Sequence, residues 1–212
     1  MTATEGVRAT RLPREQRRQQ VLAAALEVFS TSGFHAASMD EIAEHAGVSK
    51  PVLYQHFPGK LDLYLAILDA GIDELAATAK GALASTTDNR QRVSGMVTAY
   101  FAFVEDPAGA FRLVFESDLA NEPQVRDRVD AANLVLAQQT AAVLAEDTGL
   151  SNEQALLLAS GMQGMVQVAA RRWLAGTSRD VSREEAAELI TALAWRGIRG
   201  FPLTHPPQDD PT

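Results

Sequence analysis

A segment in the first third of the chain carries side chains suited to bind a polyanion. Over Lys50–His56 the sequence offers a cation, a phenol, an amide and an imidazole, and it contains no carboxylate. Such groups hydrogen-bond to phosphates and to the edges of nucleic-acid bases. Helical spacing turns Val48, Leu53 and Phe57 toward a core and leaves an outward face that is a candidate reader of bases. The residues on or beside that face are Lys50, Pro51, Val52, Tyr54, Gln55 and His56.

Two short helices joined by a tight turn are predicted to position this segment. Ser38 followed by Glu41 forms a capping box that begins the first helix. Gly47 ends that helix, where a left-handed residue is usually required. Ser49 can cap the second helix, and Pro51 lies in its first turn, where its missing N–H costs nothing. The pattern predicts a helix-turn-helix.

An ordinary helical hairpin with a solvated polar face is the alternative interpretation. Each feature taken alone would favour that simpler structure. However, the caps, the turn glycine and the separation of polar from apolar faces agree over residues 38–57. DNA binding is therefore the favoured hypothesis.

The order and spacing of these motifs resemble the DNA-binding domain of TetR-family transcriptional repressors. The similarity extends over about Arg14–Leu68, and beyond residue 80 only length and helical content support it. The motifs are Gly33-Phe34, Ala46-Gly47-Val48-Ser49, Leu53-Tyr54-Gln55-His56-Phe57 and the following Lys60.

The resemblance implies a homodimer that binds a palindromic operator in double-stranded DNA and is released by a small effector of apolar character. The residues expected to face the groove are Lys50, Pro51, Val52, Tyr54 and Gln55. The phosphate contacts implied by matching family positions are Ser38, Ser49, Tyr54, His56 and Lys60.

Composition fits a soluble globular protein, with 46% hydrophobic and 22% charged residues among 212. No long apolar run or apolar leader is present and there is no cysteine, so we expect a cytoplasmic protein without disulfides or thiolate metal sites. The net charge of −8 is unevenly distributed, with +1 over residues 1–60 and −9 over residues 61–212. Phosphate binding is therefore expected only at the first part of the chain.

The hydrophobic periodicity predicts an all-α fold of about nine helices. We expect a disordered arm over residues 1–13 and a three-helix DNA-binding domain over residues 14–59. A helical ligand-binding and dimerisation domain is expected over residues 60–201, followed by a loose tail over residues 202–212. The arm carries Arg8 and Arg11 and is either a minor-groove contact or a solvated tail, with the tail favoured.

Catalysis is not expected, because the chain has no phosphate-binding glycine loop, no nucleophile elbow and no Glu-x-x-His pair for a di-metal site. No cofactor or metal is expected either. Aromatic, methionine and polar residues of the second domain could instead line a ligand cavity. By sequence alone a plain packed core explains the apolar ones better, and the resemblance raises the cavity to an equal alternative. The candidate ligand-binding residues are Met96, Tyr100, Phe111, Arg112, Phe115, Gln138, Met162, Gln163 and Gln167.

The resemblance implies a dimer interface formed by the last two helices, and Gly161 and Gly164 would allow a close helix approach there. Intramolecular packing of the same helices is the alternative. Two further hypotheses stay open: a DNA-binding regulator without a small ligand, and a helical enzyme or carrier that contains a helix-turn-helix-like hairpin. A closed core without a cavity in the second domain would favour the first. Turnover, or tight ligand binding with no DNA affinity at any salt, would favour the second.

Overall fold

The structure, a computed structural model, describes residues 13–106, 119, 121–177 and 180–197, which contain α-helices and no strand. The all-α prediction is confirmed. The predicted short helix at Phe111–Phe115, most of the arm and the tail lie outside the described residues. The described helices are α1 (Arg14–Ala36), α2 (Met39–His45), α3 (Lys50–His56), α4 (Lys60–Ala84), α5 (Asn89–Glu105), α6 (Pro123–Thr148), α7 (Asn152–Arg172) and α8 (Arg183–Arg196).

Local signals begin and end α2 and α3 much as the sequence predicts. The backbone N–H of Glu41 donates to Ser38 Oγ at 3.1 Å and begins α2. Gly47 adopts a left-handed φ of +61° in the turn, and Pro51 lies in the first turn of α3. Ser49 occupies the N-cap position, but within the described residues its hydroxyl caps no helical N–H, unlike the prediction. Ser49 Oγ is therefore left for another partner.

A break in α1 delivers an aromatic ring to the core of the first three helices. Gly33 leaves helical geometry with a φ of +76°, which glycine tolerates without a Cβ penalty. The chain then turns Phe34 against Phe29 and Tyr64, with ring centres 5.7 Å and 5.4 Å away. Phe29 and Tyr64 are themselves 5.8 Å apart in an edge-to-face arrangement. The aromatic cluster therefore joins α1 to α4.

The hydrophobic core of α1–α3 continues into α4 and into the start of α6. Leu63, Tyr64 and Leu68 of α4 are fully buried in it. Val125 of α6 is buried in the same cluster. On the surface of this junction, Arg128 Nε of α6 donates to Asp69 Oδ1 of α4 at 3.0 Å. The helix-turn-helix thus shares one core with two helices of the rest of the molecule.

Two smaller cores hold the remaining helices together. In the first, Phe101 of α5 packs against α7, α8 and the π-helical turn at Trp173–Thr177, and its ring centre is 5.7 Å from that of Trp173. In the second, buried alanines such as Ala137 and Ala155 bring α6 and α7 together. None of the described helices is both long enough and apolar enough to span a membrane.

Gly47→Ala should destabilise the protein by about 1–2 kcal/mol, because an L residue is strained at φ +61°. No described atom lies within 4 Å of an added Cβ, so the strain is conformational and not steric. Thermal and urea unfolding would measure the change. Gly81→Ala is the matched control, since Gly81 lies within α4 with equally open space and should gain stability. A neutral or stabilising Gly47→Ala would contradict the assignment of this turn.

Candidate nucleic-acid interface and buried cavity

Helix α3 presents one face to the core and the opposite face to solvent. Leu53 and the C-cap residue Phe57 are buried in the helix-turn-helix core. Outside, Tyr54 is 48% exposed although it is a large aromatic residue. The other predicted groove-facing and phosphate-contacting residues in α2 and α3 are divided by exposure. Ser38, Ser49, Lys50, Pro51 and Gln55 are exposed, whereas Val52 and His56 are half-buried.

A carboxylate from α2 lies beside this face, although the sequence of Lys50–His56 contains none. Lys50 Nζ donates to Asp40 Oδ2 at 2.6 Å, and Asp40 belongs to the first turn of α2. Both side chains are about 60% exposed, at 60% and 61%. An ion pair with this exposure contributes little to stability. Lys50 can therefore exchange Asp40 for a DNA phosphate at small cost.

Lys60 has different partners from the DNA phosphate that the resemblance implied. Its Nζ donates to the backbone carbonyls of Phe34 at 2.6 Å, His35 at 3.2 Å and Ala37 at 2.8 Å. The ammonium also lies 4.5 Å from the centre of the Phe34 ring. A lysine has three N–H donors, and these carbonyls occupy all of them. In this structure Lys60 therefore joins α4 to the end of α1, and its phosphate contact stays a prediction.

Residues of α1 contact α2, the turn before α3 and the end of α3, the candidate reader helix. The guanidinium of Arg18 lies 5.0 Å from the centre of the Phe57 ring, where α3 ends. Gln20 Nε2 donates to the carbonyl of Ala46 at 2.8 Å, in the turn before α3. His45 Nε2 lies 2.5 Å from Glu27 Oε2 of α1. These contacts fix the orientation of α2 and α3 relative to α1.

A cavity of about 360 Å³ lies between α4, α5, α6, α7 and the end of α8. Its wall is mainly apolar, with Leu75, Val93 and Met162 among the lining residues. Five of the nine candidate ligand residues line it. They are Met96, Tyr100, Met162, Gln163 and Gln167. The size and the apolar wall fit a small-molecule site.

The other four candidates are not among the described residues of this wall. Phe111, Arg112 and Phe115 lie outside the described residues. Gln138 is exposed and does not line the cavity, so the prediction that it binds the ligand there is wrong. The reason is its position on α6, where the neighbouring Ala137 is the buried residue. Both residues lie in a helix with only weak amphipathic character, which sequence periodicity cannot orient.

The cavity also contains polar residues that the sequence did not single out. Arg92 Nη1 donates to Asp147 Oδ2 at 3.1 Å and to Asn89 Oδ1 at 2.9 Å.

Burial raises the pKa of the Tyr100 phenol above its ordinary value, and the nearby charge of Arg171 lowers it only in part. The phenol therefore stays neutral and can act as a hydrogen-bonding group.

The all-α architecture and the exposed polar face of α3 define the class of helix-turn-helix transcriptional regulators. A family model described as "Bacterial regulatory proteins, tetR family" matches residues 21–67. The HTH-type transcriptional activator FasR of Mycolicibacterium smegmatis is 45% identical over 197 residues, which cover 93% of this chain and 90% of that relative. The chain belongs to the TetR family of transcriptional regulators, whose members are not enzymes.

Solved structures share the fold over most of the chain. A TetR-like transcriptional regulator from Rhodococcus sp. RHA1 is 28% identical, with a TM-score of 0.66 over 90% of this chain and all (100%) of that one. The regulator FadR from Bacillus subtilis, solved in complex with stearoyl-CoA, is 17% identical with a TM-score of 0.71. That match covers 85% of this chain and 98% of that one. At this identity the second similarity concerns the fold alone.

Lys60→Met should lower stability by about 1.5–3 kcal/mol, because it removes charge-assisted hydrogen bonds. If the three carbonyls keep the ammonium when DNA binds, Lys60 neutralises no phosphate, and the dependence of DNA affinity on salt should be unchanged. Lys50→Met is the matched control, and it should reduce the slope of log affinity against log salt by about 0.9. The same reduction in Lys60→Met would support the phosphate contact.

Tyr54→Ala should weaken binding to the preferred DNA by about 1–3 kcal/mol, as expected for a residue that contacts bases. Stability should change little, because the side chain is 48% exposed. Fluorescence anisotropy with labelled DNA would measure the affinity, and Tyr54→Phe would isolate the hydroxyl. Unchanged affinity in Tyr54→Ala would remove Tyr54 from the reader set.

Proposed function

We propose that this regulator binds a palindromic operator in double-stranded DNA as a homodimer and is released by a small, mainly apolar effector. The observation that carries the proposal is helix α3, which buries Leu53 and exposes Lys50, Tyr54 and Gln55. These groups match the donors and acceptors of base edges and phosphates. As a regulator that must reach DNA, the protein would act in the cytoplasm.

Dimerisation through the last two helices is supported by apolar side chains left on the surface. Leu157 of α7 is 75% exposed and Val168 is 58% exposed, and Leu189 and Trp195 of α8 are also exposed. Gly161 has no described atom within 4 Å of an added Cβ, so a partner helix could approach closely there. A patch of this kind typically marks an interface. A twofold dimer would place two reader helices about 34–36 Å apart, in successive major grooves.

Effector binding is supported by the cavity and by its helices. A closed second domain would have favoured a regulator without a small ligand, and the cavity of about 360 Å³ argues against that alternative. Two of its walls, α4 and α6, also contribute Tyr64 and Val125 to the core of the helix-turn-helix. An effector that binds one spacing of the reader helices better than the other would therefore change DNA affinity.

The direction of regulation depends on where the operator lies relative to the promoter. The sequence resemblance favours a repressor that blocks the promoter. The relative that is 45% identical is named as an activator, which favours the opposite outcome for this chain. The same dimer could do either, because both need the same operator contact. Transcription in vitro from the protein's own upstream DNA would give the sign.

A salt-dependent titration of the purified protein against its own upstream DNA tests the proposal, with a scrambled fragment as the reference. We expect two protomers per site and at least tenfold preference for the upstream fragment. Val168→Asp should lower the affinity at least tenfold by weakening the dimer, with an unchanged helical circular dichroism spectrum. Thr98→Asp, at an exposed position of α5, is the matched control and should bind normally.

No preference for the upstream fragment at any salt would lead to a selection from random DNA. If no sequence were enriched, the DNA-binding proposal would be wrong. A full-affinity Val168→Asp variant that stays dimeric would instead contradict only the interface.

A further inference from the structure

Two polar clusters lie along α6, one in the cavity wall and one beside it. At one of them Asp147 pairs with Arg92, and at the other Asn133 meets two glutamines of α7. Asn133 and Asp147 are 14 residues apart in one helix, so they are separated by about 21 Å along its axis. Between them the wall is mainly apolar, with Met96 and Val143 among its residues, and the Thr140 hydroxyl there donates to the Leu136 carbonyl of its own helix. An elongated molecule fits this arrangement better than a compact one.

The amide cluster is held together by one shared acceptor. Gln163 Nε2 and Gln167 Nε2 both donate to Asn133 Oδ1, each at 2.8 Å. The three side chains are half-buried, and both glutamines line the cavity. Within the described residues, neither Gln163 Oε1 nor Gln167 Oε1 accepts a hydrogen bond. The cluster therefore keeps two acceptors, and each glutamine nitrogen keeps one N–H.

An alkyl chain laid against this cluster would take its carbonyl oxygens out of water and give them no partner. Such desolvation opposes binding, because a buried polar group without a hydrogen bond is costly. A hydroxyl or a secondary amide at the same point both donates and accepts. It would satisfy the cluster and regain the lost hydrogen bonds. Sites that hydrogen-bond a ligand group discriminate strongly against the analogue that lacks it.

We infer that the effector is an elongated amphipathic molecule whose apolar chain carries a hydroxyl or secondary amide, recognised by Gln163, Gln167 and Asn133. Its polar head lies at the other end, beside Arg92. The side chain of Arg92 is 18% exposed there, and in the described part of the chain its Nη2 donates to no acceptor. This inference rests on the proposed effector function and specifies its ligand.

Dodecanoic, tetradecanoic and hexadecanoic acids and their ω-hydroxy counterparts are matched probes of this idea. Binding to the full-length protein can be followed by tryptophan fluorescence, since Trp195 lines the cavity. For at least one chain length, we expect the ω-hydroxy acid to bind at least tenfold more tightly than the plain acid. Equal affinities at every length would overturn the inference.

A double variant, Gln163→Leu with Gln167→Leu, should abolish this preference and bind the plain acid more tightly than the native protein does. Gln138→Leu is the matched control, because Gln138 is an exposed glutamine outside the cavity and its loss should leave the preference intact. Gln163→Met, which nearly conserves volume, provides a milder variant if the double one misfolds. A preference that survives either cavity variant would overturn the inference.

Operator binding measured in the same samples distinguishes failure of the effector inference from failure of the proposed DNA-binding function. A protein that binds its operator but shows no hydroxyl preference would contradict only the inference about the effector. A protein that binds the acids with this preference, but no DNA, would support the ligand chemistry and contradict the proposed function.

Discussion

The structure depends on one continuous hydrophobic core that crosses from the helix-turn-helix into the rest of the molecule. Phe29, Phe34 and Tyr64 form its aromatic centre, and Val125 of α6 closes it from the other side. A three-helix unit of this size has little apolar surface of its own to bury. Packing against α4 and α6 supplies the missing surface. The same packing fixes the orientation of the reader helix relative to the cavity.

Lys60 adds a polar contact at the same junction. Its ammonium donates to backbone carbonyls at the end of α1, after the break at Gly33, where a helix leaves its last carbonyls without helical partners. It also lies over the ring of Phe34, so one residue of α4 holds both the backbone and the aromatic cluster. A shift of α4 would therefore also displace the end of α1 and the ring of Phe34. Through this junction the proposed effector would change DNA affinity.

Features set by neighbouring residues could be predicted from the sequence, whereas those set by distant ones could not. The cap at Ser38 and the left-handed turn at Gly47 involve contacts over a few residues, and both are present. The partners of Lys60 lie 23 to 26 residues earlier in the chain, and nothing in the local pattern specifies them. Asp40 reaches Lys50 only because the turn folds α2 beside α3.

Which faces of α6 and α7 line the cavity could not be predicted from the sequence either. Glutamines on α6 and α7 look alike in the sequence, yet Gln163 lines the cavity and Gln138 is exposed. The helical period gives the spacing of positions on a face, but packing decides which face points inward. Small buried residues such as Ala137 and Ala155 set that orientation between α6 and α7. Their individual contributions to hydrophobic periodicity are too weak to reveal it.

Hydrogen exchange in a Val125→Ala variant tests the central claim of a shared core most directly. Val125 lies far along the chain from α1–α3, but it is buried in their core. We expect amide exchange to accelerate in α1 and α4 as well as at the start of α6, since a cavity there weakens the whole cooperative unit. Val143→Ala, which alters the cavity wall, should accelerate exchange mainly in α6 and α7. If Val125→Ala accelerated exchange in α6 alone, the helix-turn-helix would be an independent unit and the account would be wrong.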